Sequence, residues 1–248
     1  MTSSKDPRQV AISSVLRSGF PFQTAVRHAI SLVPDCEVEA EERPWCDSPD
    51  NDDFLDILAR KKTLSLAIEC KKRASEALTF LDTLGVDMQT SAAVASRQRI
   101  KRDNYYVGRS TRGRIHLAPS SWEALYCVAS SDPGTRLLEP EAGFAARAAE
   151  TIAREENETT FPERGETRPV IPVLVTTSTL FRLRYDPVSV SLETGHLPDP
   201  DEWLLEEIPF IRFTKPFFAS PNGADPTRTV FIVSATNLTS FLSELRLL

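Results

Sequence analysis

The chain has 248 residues, with 29 Lys+Arg against 35 Asp+Glu for a formal net charge of −6, and 41% of it is hydrophobic. That is ordinary globular composition, long enough to bury a sizeable core. No run approaches 18 consecutive apolar residues, and MTSSKDPRQV lacks the apolar stretch of a signal peptide, so neither a membrane span nor a membrane partner is expected. Cys36, Cys46, Cys70 and Cys127 form no CxxC pair, which argues against a zinc ribbon or disulfide framework and for a reducing cytoplasm. There is no GxGxxG, GxxxxGK[ST] or GxSxG, so dinucleotide, P-loop and serine-hydrolase chemistry have no support.

Residues 8–33 read as helical, with an interruption at Gly19-Phe20-Pro21. Pro21 suits the first turn of a second helix running to about Leu32, where a missing N–H costs nothing. Cys36–Glu42 alternates apolar with acidic residues, the pattern of a half-buried strand, and Pro44 to Asp53 is turn-rich and acidic. Phe54–Arg60 and Leu64–Lys71 are short apolar runs either side of Lys61-Lys62-Thr63, which reads as a hairpin. Residues 75–100 read as helical with a break at Gly85, and Ser120-Ser121-Trp122-Glu123 fits a capping box opening a helix through Ala129. An alanine-rich helix is expected from about Glu141 to Glu156, then an exposed connection over 157–169. Val170–Thr177 is the best buried-strand candidate. Phe181–Tyr185, Val188–Glu193, Ile208–Phe213 and Val230–Ser234 read as further strands, closed by a helix at Asn237–Leu247. The order is mixed α/β.

The hairpin carries the chemistry. Alternation puts Leu64, Leu66, Ile68 and Cys70 on one face of the second strand, and Ser65, Ala67, Glu69 and Lys71 on the other. If the chain turns around Lys62-Thr63, Asp56 lies directly opposite Glu69. Two carboxylates and a lysine then converge at one end of the hairpin. Carboxylate oxygens suit Mg²⁺, which commonly keeps several waters and takes only one or two carboxylates plus a phosphate. Lys61, Lys62, Lys72 and Arg73 would draw in a phosphate backbone. The chemistry indicated is metal-assisted phosphodiester hydrolysis.

Asp56-x12-Glu69-x-Lys71, within FLDILARK and LSLAIECKK, resembles the PD-(D/E)xK nuclease superfamily, the fold of many restriction endonucleases and Holliday-junction resolvases. The likeness covers the acid–hairpin–ExK core and, more loosely, the preceding helix and the strand VIPVLVTT. It implies a restriction-endonuclease-like mixed sheet flanked by helices, with C-terminal strands. Asp56 and Glu69 would be metal ligands, the backbone carbonyl of Cys70 would complete the shell around Mg²⁺ (or Mn²⁺), and Lys71 would assist the attacking water. Two departures stand out. Many relatives carry a glutamate on the first core helix, where this chain has Gln23; and a literal Pro49-Asp50 lies upstream as a rival to Asp56.

Residues 1–248 are expected to form one domain, with a core at roughly 20–105 and 170–248 and a helical insertion at roughly 106–169. The stretch from Arg97 to Arg114 is basic, and Arg99, Lys101 and Arg102, with Lys72 and Arg73, are its candidate nucleic-acid contacts; a solvated helix face and loop is the competing reading. Gln98-x-x-Lys101 is similar to a feature on the helix after ExK in some relatives. The expected function is Mg²⁺-dependent cleavage of DNA, or of RNA, within a prokaryotic restriction or anti-phage system. The alternative is a catalytically weak or inactive nuclease-fold subunit that binds nucleic acid or assembles with a partner protein or a second copy.

Overall fold

The structure, a computed structural model, describes residues 6–48, 51–73, 76–83, 89–98, 110–131, 138–164, 168–197, 204–217 and 227–248. The helical stretch divides as expected into α1 (Pro7–Arg17) and α2 (Phe20–Ser31), each with a proline in its first turn. The Asp6 carboxylate caps α1 by accepting the Arg8 N–H at 3.0 Å. Three antiparallel strands follow: β1 (Cys36–Ser48), β2 (Asn51–Lys61) and β3 (Leu64–Lys71). Lys61 pairs with Leu64 and Ile57 with Ile68, the register that a two-residue turn at Lys62-Thr63 imposes. Lys62 sits at a φ of 53°, where a side chain is disfavoured. Lys62→Gly is therefore expected to raise stability by about 0.5 kcal/mol, read as a higher urea midpoint at unchanged slope.

The acidic stretch expected as turns is instead paired backbone: Arg43 lies opposite Leu55 and Trp45 opposite Asp53. Trp45 anchors this polar ribbon, because its ring is buried edge-on against Phe144 with centroids 5.1 Å apart. Pro44 is tolerated because β1 is the outermost strand of its sheet.

Residues 75–100 are not helical where described, but form β4 (Ala77–Thr83) and β5 (Thr90–Gln98). The segment 106–169 is likewise not a purely helical insertion. It holds β6 (Ser110–Ser121), β7 (Glu123–Ala124), β8 (Tyr126–Ala129) and then α3 (Leu138–Arg164). Alanines favoured the helical reading of β5, yet Ala93 and Ala95 alternate inward beneath Ile115 and Leu117, and that burial outweighs propensity. The serine next to the expected cap is engaged elsewhere. Ser121 Oγ accepts from the buried Arg212 guanidinium at 2.6 Å, and Trp122 stacks on Arg182 at 4.4 Å. Arg212 also donates to the carbonyls of Leu117 (3.0 Å) and Pro119 (2.9 Å), and burial pushes its pKa down to about 10.

The rest is β9 (Val170–Thr176), β10 (Thr179–Tyr185), β11 (Leu204–Glu207), β12 (Phe210–Pro216), β13 (Thr227–Ser234), α4 (Leu238–Glu244) and β14 (Arg246–Leu247). The expected strand at Val188–Glu193 does not form. A single 3-10 turn at Pro187–Ser189 takes its place, its Val188 N–H captured by the Asp186 carboxylate, while Val188 and Leu192 stay exposed.

The larger sheet runs β1-β2-β3-β9-β13-β12-β7, with β5 bridging β9 to β6 and β14 on β6; the smaller runs β11-β10-β4-β8. β3, β9 and β13 are mutually parallel. On one face α2 and α4 pack Val26, Ile30, Phe241 and Leu242 against Leu66, Ile68 and Val173. On the other, α3 lays Ala148, Ala149, Ile152 and Ala153 on Leu58, Ala67 and Val170. Small alanine side chains let that helix approach closely. β3 is covered on both faces, so its polar end at Glu69 is enclosed rather than solvated. No helix among the described residues is long and apolar enough to cross a membrane.

Candidate active site

β2 parts from both neighbours at one residue, Asp56. The β1–β2 ladder pairs Glu41 with Ile57 and Arg43 with Leu55 but skips Glu42 with Asp56, and the β2–β3 ladder ends at Ile57 with Ile68. The backbone groups released there find side-chain partners. The Cys70 N–H donates to Asp56 Oδ2 at 2.7 Å, and the Asp56 carbonyl accepts from Gln23 Nε2 at 3.0 Å. A strand residue's N–H and C=O point the same way, so the Cys70 carbonyl also faces the parting. Lys71 faces the other way through its backbone, where its carbonyl accepts the Thr177 N–H at 3.4 Å. The parting lies at the carboxyl end of parallel β3, where open α/β sheets form their crevices.

Glu69 and Lys71 share the α3 side of β3, and Lys71 Nζ lies 3.0 Å from Glu69 Oε2. Glu69 is 2% exposed, and its Oε1 has no hydrogen-bond partner. Burial, reinforced by the negative charge of Asp56, pushes the Glu69 carboxyl up to about 7 against the pull of Lys71. Asp56 is also raised, by burial first, opposed by the Cys70 N–H and the Lys71 charge. Burial works to lower Lys71, but contact with Glu69 wins and holds the ammonium above its ordinary value. The Cys70 thiol faces the apolar core and is pushed up by burial.

The remaining basic candidates separate. Lys72 is exposed, its ammonium donating to the Leu16 carbonyl at the end of α1. Arg73 is committed to Glu76 at 2.5 Å and Glu141 at 2.7 Å, tying the end of β3 to α3. Lys61 and Lys62 stand at the hairpin turn, about 23 Å along β3 from Lys71, and do not flank the site. Gln98 ends a strand rather than riding a helix. Arg99, Lys101, Arg102 and the Pro49-Asp50 pair lie outside the described residues.

One residue was missed. Glu42 stands across from Asp56, and its Oε1 accepts from Gln23 Nε2 at 2.6 Å. Nothing in the acidic run from Asp35 to Asp56 marks it apart from its neighbours. Only its φ of 48° in the middle of a paired ribbon does so.

Among the described residues, no three His, Cys, Asp or Glu side chains are gathered as a ready-made metal cage. Two carboxylates and a carbonyl, one carboxylate oxygen buried and unpartnered, still fit a hard cation that retains waters. Compared with known proteins, the chain matches no family model, no curated protein and no solved structure.

Proposed function

We propose that this chain is a metal-dependent nuclease that hydrolyses DNA phosphodiester bonds, with Mg²⁺ or Mn²⁺ as cofactor. The observation that carries the reading is the buried Glu69 carboxylate. The carboxylate lies beside Asp56 and Lys71 where the strands part, Lys71 on its Oε2 and its Oε1 without a partner. A buried acid with an unpartnered oxygen is costly, and a cation is the partner that removes the cost. The elements α2, β1–β2–β3, α3 and β9, with β9 parallel to β3, support a restriction-endonuclease-like core into which β4–β8 are inserted between β3 and α3.

In this reading Asp56, Glu69 and the Cys70 carbonyl hold the cation. When bound, it would polarise the phosphate and acidify a water. The Cys70 N–H fixes the Asp56 carboxylate, leaving its other oxygen for the metal. Lys71, kept protonated by Glu69, acts as a donor and positive charge toward the attacking water or the developing phosphoryl charge, not as a base. Lys72 beside it, and Arg99, Lys101 and Arg102, would engage the nucleic-acid backbone. Arg73, held by two carboxylates, braces the site instead. Placement within a restriction or anti-phage system rests on the family resemblance alone.

A second reading is favoured by one observation. Gln23, on the first core helix, brings an amide and no charge to the site. A weakened metal site would leave a nuclease-fold subunit that binds nucleic acid or assembles with a partner. The two are separated by incubating plasmid DNA with the protein and Mg²⁺ or Mn²⁺. Wild type is expected to nick or linearise it, Asp56→Ala to abolish cleavage, and Asp50→Ala to leave it largely intact. Loss through Asp50 with Asp56 dispensable would move the site to the Pro49-Asp50 segment, and no cleavage by wild type would favour the subunit.

A further inference from the structure

We propose that Glu42, carried on β1 and held by Gln23, supplies a third negative charge to the metal site, acting on the cation through one of its water ligands. The inference rests on the metal-binding reading above and extends it to a residue on a different strand.

Glu42 occupies the position across from Asp56, but the ladder skips that pair. Its backbone adopts a φ of 48°, a left-handed conformation that a glutamate adopts at a cost. The side chain is exposed, yet it is not free. Gln23, 7% exposed, donates through one nitrogen both to Glu42 Oε1 at 2.6 Å and to the Asp56 carbonyl at 3.0 Å. An amide nitrogen has two hydrogens, so a single group on α2 aligns Glu42 with the strand that carries Asp56. The Glu42 charge is felt at both Asp56 and Cys70.

The second, independent observation is Glu69. Its side chain is 3% exposed, and its Oε1 meets no donor. Glu42 thus stands beside Asp56, and Asp56 beside Glu69 and Lys71, and the unsatisfied Glu69 oxygen points to a cation as the missing partner. Glu42 does not complete a direct cage with the other two. Mg²⁺ and Mn²⁺ sites keep several waters, and a carboxylate one water removed is a normal way to add charge. Gln23 supplies orientation and Glu42 the charge.

The test is calorimetric titration of MnCl₂ into the full chain, with melting of each metal-free variant as a fold check. Glu42→Gln is expected to weaken Mn²⁺ binding about three- to tenfold, the range for one charge acting across a water. Glu41→Gln, next door and paired with Arg27 at 2.6 Å, should bind as wild type does. Glu42→Gly, which suits the left-handed backbone, should keep the fold and show the same loss, guarding against a glutamine variant that misfolds. Wild-type affinity in both folded Glu42 variants overturns the inference while leaving the metal site standing. A wild-type chain that takes up no Mn²⁺ overturns both.

Discussion

Replacing Lys71 with alanine is expected to slow Mg²⁺-supported DNA cleavage by about a hundredfold or more, the usual consequence of removing a group that stabilises developing charge. Binding should fall only slightly, because one cation among several contacts to a phosphate backbone is lost. The reason lies in how Lys71 is held. Its ammonium is 3.0 Å from Glu69 Oε2 and keeps its proton, so its position and charge are fixed before any substrate arrives. Charge reversal at Arg99, Lys101 and Arg102 should do the opposite, weakening binding and its salt dependence while the metal site persists. Gel-shift affinity and single-turnover cleavage, measured on the same variants, separate the two effects. A Lys71→Ala protein that cuts at the wild-type rate would end the catalytic role proposed for it.

Glu69→Gln is expected to stabilise the metal-free protein while abolishing its response to Mn²⁺. The Glu69 carboxyl binds its proton more tightly when folded, at about 7, than its ordinary 4.5. Folding is therefore most favourable, as far as this group is concerned, below about pH 4.5. That contribution is lost progressively as pH rises toward 7 and stays lost above it. The displacement corresponds to about 3 kcal/mol at alkaline pH, for a side chain too buried for solvent to screen. A neutral glutamine avoids most of that penalty but forfeits the contact with Lys71, so a net gain of about 2 kcal/mol, some 4–8 °C in melting temperature, is expected at pH 8. Near pH 4 the two proteins should melt together. Added Mn²⁺ should raise the melting temperature of wild type and not of the variant. A pH-independent difference between them would show that Glu69 carries no burial penalty, and a variant stabilised by Mn²⁺ as much as wild type would show that its orphan oxygen has no bearing on a cation.

Parts of this architecture were legible because they are local. Lys62-Thr63 between two apolar runs sets a two-residue turn, and from that alone every pair from Lys61–Leu64 to Ile57–Ile68 follows. Gly19 and Pro21 divide the first helices. Val170–Thr176 is apolar throughout because both faces of β9 are covered. Other parts were misread for equally physical reasons. The alanines of β5 and the serines before Trp122 carry strong local signals for helix, but buried partners far along the chain, Ile115 for Ala93 and Ala95, Arg212 for Ser121, overrule them. Arg73 looked like a surface cation and is held by Glu76 and Glu141, the second of them 68 residues away.

The sequence by itself determined that Asp56 and Glu69 lie across one hairpin with Lys71 two residues on, since register and alternation follow from turn length and side-chain period. It also determined a chain able to bury both faces of a central strand. Only the tertiary structure decided what those groups became. α3 closing over β3 takes Glu69 out of water and moves its carboxyl toward 7. Gln23 reaching from α2 catches the Asp56 carbonyl and Glu42 together, and Glu42 turns into a left-handed conformation that no residue pattern announced. Burial and a shared hydrogen bond are properties of chain segments meeting in space, and spacing along the chain does not encode them.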